Sequence, residues 1–308
     1  MKLFIMAFFM LVLFIACDKM PTIDHDTMLD GDKIFDPSLY EPEKYLVSAA
    51  IPNPTPADLA KPVVVATHGY SATTFEWDEF REWTGDDDRY LISQVLLGGH
   101  GRDYETFKKS SWQDWQSAIK DEYNKLENSG YQNITLLCSS TACPLVLELV
   151  DAGYFNGKQP PRNILLVDPI VIPSDKLLSL IGFIGPMLGY IETDPAAGEF
   201  SHWYHFRPQE TLQQLQKLLH IVRKDLQRGI SLPAGTRLKA YKSKKDPTAD
   251  PVSAVLIYKG VEGVVEIEMV DSELHVFTRL AGRDGVTDKD IQNQSAAFSD
   301  IRRLVLVE

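Results

Sequence analysis

The sequence predicts an α/β fold: a mostly parallel central sheet flanked by helices, with a mainly helical cap insertion. Three observations carry that expectation. Short, continuous apolar runs such as Pro62–Thr67, Ile134–Leu137 and Asn163–Val167 have the character of strands covered on both faces, and they alternate with stretches of helical periodicity. Between about residues 170 and 230 that alternation stops, and leucines at amphipathic helical spacing take over. The chain has 308 residues, 44% hydrophobic and 24% charged, enough for one large core, placed at 45–308. No internal repeat is evident. A formal net charge of -12 argues against a nucleic-acid partner, which calls for a basic surface.

Met1-Lys2 precedes an apolar run from Leu3 to Ala16 and then Cys17. A short positive start, an apolar stretch too short to span a bilayer comfortably and a small residue at its end have the layout of a signal peptide. Phe14-Ile15-Ala16-Cys17 resembles a bacterial lipobox, with Phe14 where leucine is usual. Residues 1–16 are therefore expected to be removed as the signal peptide, leaving Cys17 as a lipidated N-terminus anchored in a membrane of the cell envelope, outside the cytoplasm. An ordinary signal peptide cut nearby, or an uncleaved anchor, would put the body on the same side. Residues 17–44 are polar and turn-rich and read as a tether; their scattered aspartates lack the spacing of a calcium loop.

Of the three cysteines, Cys138 and Cys143 remain once Cys17 carries lipid. One ends a strand and the other sits in the first turns of a helix, a poor setting for a disulfide, so both read as small packing residues. A cysteine nucleophile is the sharper alternative.

In chain order, Tyr45–Ala50 is a candidate first strand and Pro52–Pro56 a stiff break. Pro62–Thr67 is a central strand that ends in His68-Gly69-Tyr70-Ser71. Aromatic residues from Phe75 to Trp83 recur at helical spacing, and Tyr90–Leu97 is a further strand ending in Gly98-Gly99-His100-Gly101. His68 and His100 are read as braces for these loops. Ser111 opens a helix along which Trp115, Ile119, Tyr123 and Leu126 recur up to Gly130.

The stretch Leu136–Cys143 is where a buried strand meets a helix, because Pro144–Val150 continues with an apolar helical pattern. A serine on so sharp a turn projects its hydroxyl from the sheet edge, and residues two positions either side must be small. Cys138-x-Ser140-x-Ala142 meets that demand, whereas centring on Ser139 would put Leu137 in a small slot. Ser140 is the candidate nucleophile; a plain strand followed by a serine-rich helix cap is the bland reading.

Asn163–Val167 is the next strand and ends at Asp168-Pro169, with Asp168 a candidate acid. In the cap, Phe200, Trp203, Tyr204 and Phe206 form an aromatic cluster, and Trp203 and Phe206 are candidate substrate-pocket residues. His202 and His205 have a spacing that a metal permits, but no carboxylate or cysteine partner is evident, so a structural or rim role is preferred and no metal is assigned. Thr236–Tyr241 is a strand followed by a turn with Asp246-Pro247 and Asp250-Pro251. Val264–Val270 alternates with Glu266 and Glu268 as a strand near an edge does, and His275 lies in the loop beyond it.

Leu97-Gly98-Gly99-His100-Gly101, then Asp114-Trp115, then the Ser140 turn resemble, in that order, the carboxylesterase and monoglyceride-lipase branch of the α/β-hydrolase superfamily. The resemblance spans roughly Pro62 to the C-terminus; Cys138 and Ala142 stand in place of glycines, and Ser139 where histidine is frequent. It implies the α/β-hydrolase fold, with an oxyanion hole made by the backbone N–H groups of Tyr70 and Thr141. It implies Asp246 as triad acid, with Asp250 capping the next helix, and His275 as general base, so that Ser140, Asp246 and His275 follow in family order. The implied activity is hydrolysis of a small-molecule ester or lipid-like substrate, with no metal or organic cofactor. An acyltransferase or thioesterase with the same triad, and a non-catalytic lipoprotein using the fold for binding, are the alternatives.

Overall fold

The computed structural model describes residues 47–174, 189–194, 196, 198–199 and 201–306. The signal-peptide and lipidation expectations at 1–16 and Cys17, the tether, Phe200 and the apolar stretch Leu177–Leu188 lie outside them.

Six strands form one parallel sheet: β1 (Val63–Thr67), β2 (Leu91–Val95), β3 (Ile134–Ser139), β4 (Asn163–Val167), β8 (Arg237–Ser243) and β10 (Val264–Val270), in the order β10-β8-β4-β3-β1-β2. The remaining strands are short: β5 (Tyr190–Glu192) pairs antiparallel with β6 (Phe206–Pro208), and β7 (Ile230–Ser231) pairs with β9 (Val261–Glu262).

Because side chains alternate along a strand, each central strand feeds two cores. Val63, Val65, Leu136, Cys138, Ile164 and Leu166 face one side; Val64, Ala66, Leu137, Leu165 and Val167 face the other. This is why the sequence shows unbroken apolar runs here, while edge strand β10 alternates and leaves Glu266 and Glu268 in reach of the buried Lys239 on β8 (2.8 and 2.9 Å).

A single turn, α1 (Pro56–Leu59), precedes the sheet, and α2 (Asp78–Thr84) and α3 (Tyr104–Lys109) follow β1 and β2. On the first face lie α4 (Trp112–Ser129), α5 (Ala142–Asp151), α6 (Gln209–Arg228) and α7 (Val252–Gly260). The second is covered by α2 and α8 (Asp288–Leu306), through Phe80, Phe298, Ile301 and Val305. Ser111 and Asp114 close a reciprocal capping box on α4, which starts that helix where the sequence places it. None of the described helices is long and apolar enough to cross a membrane.

One expectation needs correction, and another gains detail. Val47–Ala50, the described part of the candidate first strand, forms no strand: Gln94 N–H donates to Val47 O (2.8 Å), but Ala49 N–H is taken by the Ser93 hydroxyl (2.8 Å), which interrupts a ladder. The insertion at 170–230 also contains the β5–β6 pair, in which Phe206 and Pro208 are buried and Arg207 between them is half-buried. Its long helix α6 is less a lid than a core element, since Leu215, Leu218, Leu219, Val222 and Leu226 join the core under the first face.

β1 and β3 are neighbours, whereas the chain leaves β1 outward to β2 before returning to β3. The crevice at the carboxyl ends of such a pair is where an open α/β sheet binds its ligands.

Candidate active site

Ser140 stands at the end of β3 with φ 48°, a left-handed conformation that strains a non-glycine residue by roughly 1–3 kcal/mol. The turn is held by Ser140 N–H to Val167 O (3.0 Å) and Cys143 N–H to Ser140 O (3.2 Å). Cys138 and Ala142 are fully buried in the helix-side core, so the turn takes these side chains where glycine is more usual. Both cysteines are free, burial raises both thiols well above their ordinary range, and neither lines the cavity at Ser140. That geometry offers nothing to a cysteine nucleophile.

His275 Nε2 lies 2.8 Å from Ser140 Oγ, and its Nδ1 lies 2.8 Å from Asp246 Oδ2. Asp246 is buried; its Oδ1 accepts from the backbone of Thr248 (2.8 Å) and Ala249 (2.9 Å), which orients the carboxylate. Burial alone would raise its pKa, but the hydrogen bond and charge of His275, joined by Lys242, outweigh this and hold it down to about 2. Asp250, one residue before the Pro251 N-cap, accepts from Val252 N–H (2.8 Å) at the start of α7, away from His275.

Asp168, the other candidate acid, makes no hydrogen bond to His275. Its carboxylate accepts from Ser243 N–H (2.7 Å), Ser243 Oγ (3.1 Å), Phe277 N–H (3.1 Å) and Lys242 (3.3 Å). It thereby ties the end of β4 to β8 and to the loop that carries His275. Asp168, Asp246 and His275 offer ligand atoms within 4.8 Å of one another, but the Lys242 ammonium bridges the two carboxylates, so the trio is a buried ion-pair network.

The loop after β1 approaches Ser140 closely: a Cβ on Gly69 would stand 2.8 Å from Ser140 Cβ. The backbone N–H groups of Tyr70 and Thr141 have no hydrogen-bond acceptor among the described residues, and both residues line the cavity beside Ser140. Thr141 is also at the N-terminus of α5, where the helix favours negative charge. Glu76 fixes this loop to the elbow: its Oε1 accepts from Gly69 N–H (2.8 Å) and from the Ser139 hydroxyl.

His68 is buried, its Nε2 accepting from Leu97 N–H (3.0 Å) and its Nδ1–H donating to Gly69 O (2.8 Å), so the imidazole braces the two loops. His100 is buried against Phe107 and Trp115 with Nδ1 3.2 Å from Gly98 O.

The cavity measures about 440 Å³. Trp203 lines it, but Phe206 does not: strand alternation turns Phe206 toward Tyr190 and His205 and turns Arg207 to the cavity instead. Tyr204 anchors the cap, stacking on Phe107 (4.0 Å) and hydrogen-bonding Arg102 N–H (3.0 Å) and Gly99 O (3.1 Å) through its hydroxyl. His202 stacks on Phe75 and His205 faces Glu192, so the two imidazoles serve different partners.

Sequence reasoning missed Glu76, Lys242 and Arg207. A charged residue in a helix or strand ordinarily faces water, and only the tertiary fold shows Glu76 and Lys242 to be buried and the Nε of Arg207 to be shielded.

The all-parallel sheet with helices on both faces, a serine turn at its switch point and a histidine loop beyond the last strand define an α/β-hydrolase fold. Solved structures agree in fold. A metagenome-derived lipolytic enzyme of the LipS and LipT pair superposes with TM-score 0.63 at 18% identity, covering 79% of this chain and 94% of that one. A soluble variant of Saccharomyces cerevisiae monoglyceride lipase, held with a substrate analogue, gives 0.61 at 10% identity over 83% and 89% of the two chains. Paleococcus ferrophilus monoacylglycerol lipase gives 0.58 at 12% identity over 80% and 96%. No protein-family model matches the sequence, and neither does any curated protein.

Proposed function

We propose that this protein is a serine hydrolase of carboxylic esters, anchored through a lipidated Cys17 at the extracytoplasmic side of a cell-envelope membrane. The observation that carries the catalytic part is the unbroken chain of 2.8 Å hydrogen bonds from Ser140 through His275 to Asp246, opening on a cavity. Lipolytic activity among the structural relatives agrees with it. In this reading Asp246 accepts Nδ1–H, so Nε2 is free to take the Ser140 proton as Oγ attacks the ester carbonyl. The N–H groups of Tyr70 and Thr141 receive the oxyanion. His275 then returns the proton to the departing alcohol and activates water to release the acid. The anchor rests on Phe14-Ile15-Ala16-Cys17 after an apolar run.

Fluorophosphonate labelling of the purified protein followed by peptide mass mapping tests the catalytic part. An adduct on Ser140 that is absent in His275→Ala is expected; folded wild-type protein that takes no adduct overturns the reading. Mass spectrometry of the mature N-terminus tests the anchor, which fails if Cys17 is present without lipid.

A further inference from the structure

Outside the Ser140–His275–Asp246 chain, five charged side chains among the described residues line the cavity: Glu76, Glu199, Arg207, Arg279 and Arg283. Both carboxylates are engaged. Glu76 receives Gly69 N–H and the Ser139 hydroxyl. Glu199 receives Arg279, whose guanidinium also lies 4.4 Å from the Trp203 ring centroid, and Ala196 N–H (3.1 Å). Arg283 donates to the backbone carbonyl of His275 and pairs with no carboxylate among the described residues.

Arg207 is the outlier. Among the described residues its guanidinium has no ion pair and no hydrogen bond, and its Nε is buried without a partner. The contact it does make is with the Tyr70 ring, 6.0 Å from the centroid. Burial pulls its pKa below the usual guanidinium value, with Tyr70 and Glu199 acting the other way. A guanidinium that is half-buried, with its Nε shielded from water and no carboxylate partner among the described residues, opposes folding, and such a group is unusual on a chain of net charge -12. The alternation of β6 nevertheless turns this residue toward the cavity between buried Phe206 and Pro208.

Among the described residues, three guanidinium groups face two carboxylates in the cavity wall, an excess of one positive charge. A single carboxylate balances that excess, whereas a phosphate dianion would overshoot it beside Glu76 and Glu199. Guanidinium is also the group that grips a carboxylate through two parallel hydrogen bonds. Given the ester-hydrolase reading, on which this rests, we infer that Arg207 forms a subsite for an anionic group and that the substrate is a small ester bearing one carboxylate.

Calorimetric binding to the full-length Ser140→Ala protein tests this without turnover. The probes are monomethyl glutarate and its isomer 4-acetoxybutanoate, which carry the carboxylate on the acyl and the alcohol side respectively, against neutral methyl valerate. At least one anion is expected to bind ~10-fold or more tighter than the neutral ester, and adding Arg207→Met should weaken it by roughly 30-fold. Arg207→Lys, which keeps the charge but not the fork, should retain part of the preference. Equal binding of neutral and anionic esters, or a preference that survives Arg207→Met, overturns the subsite; should Arg207→Met fail to fold, the neutral-against-anion comparison and Arg207→Lys decide. Anion binding at Arg207 in a protein whose Ser140 takes no fluorophosphonate would instead sink the hydrolase reading alone.

Discussion

Lys242, fully buried, donates from Nζ to Asp246 Oδ2, the same oxygen that receives His275 Nδ1–H. A second buried carboxylate, Asp168, lies 3.3 Å from that ammonium. One cation thus compensates two anions directly behind the histidine. Asp246 is held down to about 2 in the folded protein, below the ~3.9 of an unfolded chain. Its contribution to stability is therefore complete above about pH 4 and is lost as pH falls through about 2.

Lys242→Met leaves both carboxylates without their cation. It should destabilise the protein by about 3–5 kcal/mol, the usual result of breaking a buried pair. It should also raise the Asp246 pKa, so that the acid-side loss of stability sets in at higher pH. Urea unfolding at neutral pH and at a series of lower pH values checks the two parts; an acid-side loss at the wild-type pH in Lys242→Met would show that the lysine does not hold Asp246 ionised.

Gly69→Ala tests how tightly the loop after β1 is fitted to the elbow. The new methyl would stand 2.8 Å from Ser140 Cβ and 3.3 Å from Oγ, closer than such carbons approach. Ser140 already occupies a strained φ and cannot yield far. Fluorophosphonate labelling should slow by 100-fold or more while the protein stays folded, since small misplacements of a nucleophile are that costly. Labelling at the wild-type rate would mean that the loop gives way instead.

Much of this architecture is legible in the sequence because its signals are local. Parallel strands buried on both faces must be continuously apolar, which marks Val63–Thr67, Ile134–Ser139 and Asn163–Val167. The serine turn needs small flanks, so Ser140 stands out, and the resemblance to α/β-hydrolases then implies Asp246 and His275. What stays hidden depends on parity or on distant partners. An aromatic at 206 and an arginine at 207 exchange roles with a one-residue change of strand register, and the residues around them carry no clear period. Lys242 reads as one of several lysines near a strand end, yet Asp168 from the end of β4 and Asp246 from the following turn enclose it.

His68 gives the fold a pH dependence of its own. Burial lowers its pKa from about 6.5 to about 4, against the small opposing effect of its hydrogen bond to Gly69 O. The unfolded chain binds the proton first as pH drops, so this contribution is complete above about 6.5 and is lost as pH falls through about 4. Between pH 7 and pH 4.5 this one residue should remove about 2 kcal/mol of stability. Histidine NMR on the folded protein checks the cause: the His68 ring should remain neutral down to pH 5, and titration near 6.5 would contradict it.

Glu76 offers a separate test of the proposed oxyanion loop, because it touches the loop and the elbow without being part of the Ser140–His275–Asp246 chain. Glu76→Ala would leave the buried Gly69 N–H and Ser139 hydroxyl without their acceptor, at about 1–3 kcal/mol for each unsatisfied group. The loop would then no longer hold Tyr70 N–H in register with Thr141 N–H. Because that register matters only to charge developing in the transition state, kcat should fall by roughly 10- to 100-fold with little change in KM. Glu76→Gln keeps an acceptor oxygen in the same place and should recover most of the rate. Equal losses in Glu76→Gln and Glu76→Ala would assign the effect to the charge of Glu76 rather than to its grip on the loop.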